Sequence, residues 1–241
     1  MSIGIIISCY KQWKYMKAAI ESVLNQTYQD WHLYIINDEY CSHHPYYDDH
    51  VRLPVQLNDE QKYKITYYFD GRHKGLAKRI NEGLQYCKED YVILLGADDI
   101  IDPHYLKTVS KHIKKHPGLI WLYGCCEILY KENTNKKELY VSGKFDRKRL
   151  QKINYIPCCS VVFNKDTVRQ IGFNEKLTWA EDWEMWLLLS KFYKPHYLPV
   201  CAYTRNDKTS VMRNDLSGKG KLKALKRRIK KWLIKRKFRS K

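Results

Sequence analysis

The segment 3–9, Ile-Gly-Ile-Ile-Ile-Ser-Cys, is apolar without alternation and rich in β-branched residues. A strand with one face in water alternates apolar and polar residues. A strand apolar on both faces must be covered on both, as happens in a parallel sheet flanked by helices. The pattern recurs at 32–36 (HLYII), 65–69 (ITYYF) and 91–95 (YVILL). Between these runs lie stretches of helical spacing. In 13–26, Met16, Ala19, Ile20, Val23 and Leu24 fall on one face; in 75–87, Leu76, Ile80, Leu84 and Cys87 do. Strand–helix–strand alternation of this kind predicts a doubly wound α/β sheet. Ligands in such sheets bind beyond the carboxyl ends of the strands. The polar clusters 8–11, Asn37-Asp38 and Asp98-Asp99 all follow such ends, which predicts one site built from all three.

The second half reads differently. Helices are expected over 105–116, 144–153, 166–171 and 181–192, and strands over 119–130 and 158–164. A polar, irregular stretch is expected over 39–62 and a charged hairpin or loop over 132–137, and Pro117-Gly118 and Gly172 act as stops. The eight cysteines show no CxxC spacing, and the adjacent pairs Cys125-Cys126 and Cys158-Cys159 are poorly placed for bridges within a pair. They read as reduced, buried thiols. No run reaches the roughly 18–20 apolar residues that span a bilayer, and no secretion signal is evident.

The net charge of +18 is unevenly placed. Residues 217–241 hold 13 Lys and Arg and no acid, leaving 31 basic and 26 acidic residues, a net +5, in the first 216. Leu222, Leu225, Ile229, Trp232 and Leu233 form a helical stripe within that basic tail. A basic amphipathic helix with Trp on its apolar face suits an anionic membrane surface, lying in the interface without spanning it. Thirteen cations also suit nucleic acid, and a solvated tail is the plain alternative. The apolar stripe and the nearly neutral body favour the membrane.

Asp98 and Asp99 are the candidate chemistry. Two adjacent carboxylates repel unless a cation or hydrogen-bond donors hold them, and Mg²⁺ or Mn²⁺ takes both carboxylate and phosphate oxygens. On these two residues alone, a strand-end turn is the commoner arrangement.

Several motifs extend the reading. Ser8-Cys9-Tyr10 resembles the first-strand end of the family 2 glycosyltransferases, and 21–28 (ESVLNQTY) matches the ESVLxQTY helix end of that family. Asn37-Asp38 stands at its aspartate pair. Lys74-Gly75-Leu76-Ala77 with Asn81-Glu82-Gly83 resembles NxGLxxARNxG; 95–99 resembles LDxDD; and 181–186 (EDWEMW) resembles EDWxxW. The ordered set covers about five-sixths of the chain and is identified as family 2 with the GT-A fold. That implies a Rossmann-like, mainly parallel mixed sheet flanked by helices, with residues 1–215 as the transferase domain. Residues 1–103 would hold the nucleotide sugar, 104–215 the acceptor, and 216–241 would be the basic amphipathic tail.

The resemblance also implies roles. Ser8, Tyr10, Asp38, Gly75, Arg79, Asp98 and Arg205 would contact the nucleotide sugar, with Tyr10 as a base platform and Asp38 accepting from uracil. Asp98 and Asp99 would hold Mn²⁺ or Mg²⁺. Asp182 would be the general base, with Trp179, Glu181 and Trp183 at the acceptor. The implied reaction is metal-dependent, inverting transfer of a single sugar from a UDP-sugar to a glycan or glycolipid hydroxyl, at the cytosolic face of the membrane. The alternatives are an enzyme acting on modified nucleic acid, or an inactive binding module. Three positions depart from the pattern: Gly96 replaces the first acid of the DxD, Asn37 the first of the aspartate pair, and Ile80 the family arginine, with Arg79 one place earlier. The missing first acid makes the chain similar to the spore-coat polysaccharide transferase type, and no processive QxxRW motif is present.

Overall fold

The computed structural model describes residues 1–39, 53–130, 137–140 and 142–206, with backbone alone for 128–130, 137–140 and 201–206. The basic tail 217–241 and most of the polar stretch 39–62 lie outside the described residues.

In chain order the elements are β1 (Ile3–Cys9), α1 (Trp13–Leu24), β2 (Trp31–Asn37), α2 (Asp59–Tyr63), β3 (Ile65–Phe69), α3 (Leu76–Tyr86), β4 (Tyr91–Gly96), β5 (Asp99–Ile101) and α4 (Tyr105–Lys115). There follow β6 (Trp121–Tyr130), β7 (Lys137–Tyr140), α5 (Arg147–Leu150), β8 (Val161–Asn164), α6 (Lys165–Ile171), α7 (Glu181–Phe192) and β9 (His196–Asn206). One sheet runs β3-β2-β1-β4-β8-β6-β9-β5, with β7 on β6. The strands β3, β2, β1 and β4 are mutually parallel, and β8 enters antiparallel to both β4 and β6. Because β9 lies along β6 over 122–130, β7 and β8 share its other edge, at 126–129 and 121–123.

The unbroken apolar run of β1 is explained by the cores on its two faces. Ile3, Ile5, Ile7 and Cys9 pack with Met16, Ile20 and Val23 of α1 and Val109 and Ile113 of α4. Ile6 points the other way, into a core with Ile80 and Leu84 of α3 and Trp186 and Leu187 of α7. Ile5 and Ile7 are fully buried, so truncating either to Ala would cost about 2–5 kcal/mol.

The second half is more broken than its sequence suggests. The helix expected over 144–153 is the single turn α5, opened by Asp146, whose carboxylate accepts from Lys148 N and Arg149 N. The strand expected over 158–164 divides. Pro157, at φ −64, starts a 3-10 turn at Cys158–Ser160 in which Ser160 N and Oγ both donate to the Pro157 carbonyl, and only then does β8 begin. Consequently β8 pairs with β4 only over Tyr91–Ile93, and the turn packs beside the rest of β4. Two elements lie where loops were expected. The helix α2 is held by a capping box between Asn58 and Gln61, and β5 exists because β9 pairs with it. Among the described residues, no helix is long and apolar enough to cross a membrane.

Candidate active site

The ends of β1, β2 and β4 meet as the α/β topology requires. Asp38 N donates to the Cys9 carbonyl at 2.8 Å, tying the first two ends together. Ser8 is half-buried, and Tyr10 is 39% exposed with its ring stacked on His73 at 4.0 Å. Lys11 follows at φ +56, a left-handed conformation that costs a non-glycine residue about 1–2 kcal/mol. Its N–H donates to Glu39 Oε1 at 2.7 Å. Asn37 is buried; its amide donates to the Tyr67 hydroxyl and accepts from Glu39 N. One side chain that both donates and accepts is what an amide supplies and an ionised carboxylate does not, which accounts for Asn at this place.

Asp38 is buried and fully engaged. Its oxygens accept from Lys74 N (2.7 Å), Gly75 N (2.9 Å) and Arg79 Nε (2.7 Å), and His73 Nδ1 lies 2.9 Å away. Gly75 presents that N–H from φ +91, a conformation suited to glycine. Arg79 is completely buried. Besides Asp38 it donates to Glu82 (2.7 Å), Asp70 (2.6 Å) and the Arg72 carbonyl. Its hydrogen bond holds the Asp70 carboxyl well below the usual carboxylate range. The structure thus places Arg79 as the hub that fixes Asp38 and the 70–75 loop. Glu82 is an i+3 neighbour on the same helix, but Asp38 and Asp70 lie on separate segments, so no local window shows that Arg79 joins them.

At the end of β4, Asp98 is half-buried and Asp99 buried. The two carboxylates converge over Gly96. A Cβ there would sit 2.7 Å from Asp99 Oδ2 and 3.0 Å from Asp98 Oδ1, and Gly96 N donates to Asp99 Oδ2 at 3.2 Å. An acid at position 96 would displace the pair, which accounts for glycine where the family pattern has its first aspartate. Hard carboxylate oxygens converging in this way fit Mg²⁺ or Mn²⁺.

The ESVLNQTY helix end braces this corner from behind. Ser22 Oγ accepts from Ile101 N at 3.3 Å. Buried Gln26 donates to the Asp102 carbonyl at 2.7 Å and accepts from Leu106 N at 3.0 Å. Thr27 N donates to the Pro103 carbonyl at 2.9 Å. Asn81 does similar work elsewhere, exchanging hydrogen bonds with the backbone of Phe173. Thr204 of β9 lies opposite Asp99 in register, so the backbone of Arg205 stands one residue beyond; its side chain is outside those described.

The second acidic pair opens α7. Ala180, at φ +56, turns the chain into this helix, so backbone strain sits immediately before Glu181-Asp182. Asp182 Oδ2 accepts from Asn154 Nδ2 at 3.0 Å and Oδ1 from Trp183 N at 2.6 Å. Burial pushes the Asp182 carboxyl up. It also raises Glu181, with the charge of Asp182 adding to the effect, to about 7. Trp179 is half-buried. Trp183 is buried in the second core and donates its indole N–H to the Leu150 carbonyl at 2.7 Å, which seats α7 on α5.

Cys158 links the two acidic pairs. Its thiol is raised by burial and then by the charges of Asp182, Glu181 and Asp99. The Cys158–Ser160 turn packs beside β4, whose end leads into Asp98-Asp99, and Asn154, four residues before the turn, binds Asp182, so the two halves of the chain meet at this segment. No local pattern in the sequence sets Cys158 apart from the other cysteines.

A mainly parallel sheet flanked by helices, with acidic residues gathered at its strand ends, defines an α/β scaffold of a known family. The family model "Glycosyl transferase family 2" matches residues 4–172, and the chain belongs to that family, with the GT-A fold. The chain is 25% identical over 229 residues to the UDP-Glc:alpha-D-GlcNAc-diphosphoundecaprenol beta-1,3-glucosyltransferase WfgD of Escherichia coli, covering 93% of this chain and 83% of that protein. With the minor teichoic acid biosynthesis protein GgaB of Bacillus subtilis it shares 24% identity, over 90% of this chain and 24% of that one. It spans only 32% of an uncharacterized glycosyltransferase of Rickettsia felis and 18% of a Sinorhizobium fredii protein. Among solved structures, S. aureus TarS 1-349 in complex with UDP-GlcNAc superposes with a TM-score of 0.66 at 17% identity, covering 97% of this chain and 67% of that one. The mannosyltransferase PcManGT of Pyrobaculum calidifontis, with GDP-Man and Mn²⁺, superposes at 0.56 and 11%, covering 86% and 58%.

Proposed function

We propose that this chain transfers a single sugar from a UDP-sugar to a hydroxyl of a lipid-linked or cell-surface glycan, with inversion at the anomeric carbon. The observation that carries the reading is that Asp98 and Asp99 converge over Gly96 at the end of β4, while the segment packed beside β4 also holds Asp182 through Asn154. The UDP-glucose donor and diphosphoundecaprenol acceptor in the name of WfgD, and the UDP-GlcNAc bound to TarS, support the donor and acceptor classes.

Residues 1–103 take the donor in this reading, with the base beside Tyr10 and Asp38 and the diphosphate beside Asp98 and Asp99. Gly75, held by Asp38, and Arg205 flank the donor, and Arg79 serves it by fixing Asp38. A divalent ion held by Asp98 and Asp99 would neutralise charge on the departing diphosphate. Residues 104–215 take the acceptor against Trp179 and Glu181, on the helix that Trp183 seats. Asp182, oriented by Asn154, accepts the proton of the acceptor hydroxyl as its oxygen bonds to the anomeric carbon. The bond from that carbon to the β-phosphate oxygen breaks, and UDP leaves with the electron pair. A placed carboxylate base contributes typically ~10²- to 10⁴-fold. The tail 217–241 holds the enzyme to an anionic membrane at its cytosolic face.

Thermal shift with a panel of nucleotide sugars tests the donor reading. At 100-fold excess over Kd, the cognate UDP-sugar with Mn²⁺ should raise the melting temperature by roughly 5–10 °C. The Asp98→Asn/Asp99→Asn variant should lose that shift; a shift of equal size in the variant or without metal overturns the site. Deleting residues after Asp215 should abolish sedimentation with anionic vesicles.

A further inference from the structure

Away from the acidic pairs, three histidines separated in sequence come together. His112 lies in the last turn of α4, His116 at its C-terminal cap and His196 at the first position of β9. One ring nitrogen of each lies within 4.8 Å of the others. The ring centroids are 4.3 Å (112–116), 5.2 Å (112–196) and 4.7 Å (116–196) apart. We propose that His112, His116 and His196 form a binding site for a zinc-class divalent ion, separate from the ion expected at Asp98-Asp99.

Four features support it. The spacing of four residues puts His112 and His116 on one helix face, and β9 brings the third ring across from it. His116 Nδ1 donates to the His112 carbonyl at 2.8 Å, which leaves the lone pair on Nε2. A ligand histidine commonly has its other ring nitrogen tied to a backbone carbonyl in this way. His112 Nε2 and His196 Nδ1 are 3.0 Å apart and share one proton. An ion would replace that proton, which moves to the other nitrogen of its own ring, so both lone pairs face the metal with no net proton release. Finally, all three rings are half-buried, and His116 and His196 line a cleft of about 500 Å³ with Pro117, Phe192, Tyr193 and Lys194. The cleft gives solvent a route in and leaves room for a water as fourth ligand.

The chemistry separates the two ion sites. A set of imidazoles with no carboxylate suits Zn²⁺, Co²⁺ or Ni²⁺, whereas paired carboxylates suit Mg²⁺ and Mn²⁺. Topology separates them too. His196 begins β9, and Thr204, eight residues on, pairs with Asp99. At the rise of an extended strand the sites are about 26 Å apart. Tying α4 to β9 would fix one end of a strand whose other end supports the acidic pair.

The test uses tag-free full-length protein titrated with Zn²⁺ by calorimetry and with Co²⁺ by visible absorption. One equivalent should bind with the intense d–d band of a four-coordinate ion. The His116→Ala and His196→Gln variants, checked for folding by circular dichroism, should each lose at least ~10-fold in affinity. The Asp98→Asn/Asp99→Asn and His43→Ala/His44→Ala variants should bind as the wild type does. X-ray absorption on wild-type protein with one Zn²⁺ should count three imidazole nitrogens at about 2.0–2.1 Å, and needs no variant to fold. Unchanged affinity in both histidine variants, loss confined to His43-His44, or fewer than three imidazoles at the ion overturns the proposal.

Discussion

Replacing Arg79 with Met keeps most of the apolar stem and removes the guanidinium that joins Asp38, Asp70 and Glu82. Asp70 and Glu82 are about one-fifth exposed and can be rehydrated, whereas the Asp38 side chain is 2% exposed and cannot. The backbone N–H groups of Lys74 and Gly75 still reach Asp38, but its buried charged partner is gone. Breaking a buried pair on one side costs about 3–5 kcal/mol. For a chain of this size, each kcal/mol lowers the melting temperature by about 2–4 °C, so the loss should be roughly 6–20 °C. The pH dependence adds a second signature. Asp70 is depressed in the folded protein, so its contribution is present above its unfolded value and lost as pH falls through that range. Wild type should therefore weaken below about pH 4. The variant lacks the Arg79 hydrogen bond that depresses Asp70, so it lacks most of that contribution and its deficit should narrow as pH falls below about 4. Thermal melts by circular dichroism across that range measure both. A loss below about 1 kcal/mol, the size of an exposed ion pair, with no narrowing on acidification would refute the assignment of Arg79 as hub.

Gly96→Ala puts a methyl group 2.7 Å from Asp99 Oδ2 and should weaken Mn²⁺-dependent donor binding by at least ~10-fold in calorimetry, with little change in melting temperature. Glu181 is raised to about 7, so its contribution to stability falls as pH rises from the ordinary glutamate range through that value. Glu181→Gln should therefore gain stability relative to wild type above about pH 7. The charge of Asp182 raises Glu181 but not the reverse, so Glu181→Gln should leave the acid limb of the kcat/KM profile in place; a moved limb would make Glu181 the base. Gln26→Ala deprives Leu106 N and the Asp102 carbonyl of their partner and should cost about 2–4 kcal/mol in urea unfolding.

The parallel half was legible because its signals are local. The unbroken run of β1, the helical stripe of α1 and the acidic start of α7 each fix an element to within about two residues. The convergence of Asp38 with Asp98 and Asp99 followed from topology alone. The parts that were not legible depend on partners distant in sequence. The strand β5 is three residues long and is defined by pairing with β9 some hundred positions later. The fates of Arg79, Cys158 and the three histidines are set by contacts that no window of residues contains. The motifs also divide by use: Asp98-Asp99 form the candidate metal corner, while Ser22, Gln26 and Asn81 act as staples. A pattern match alone does not separate these two kinds of residue.

The early stop of β8 has an architectural consequence. Because β8 leaves β4 after Ile93, the last stretch of β4 meets a folded turn instead of a neighbouring strand. A sheet continued there would close like a wall across the corner where the two halves of the chain meet. The turn that Pro157 begins caps this edge instead, so the end of β4 that leads to Asp98-Asp99 is bordered by three residues of folded turn and not by a ladder of backbone hydrogen bonds. Lengthening β8 by two residues would carry that ladder past Ile93 towards the acidic corner without changing any acidic residue.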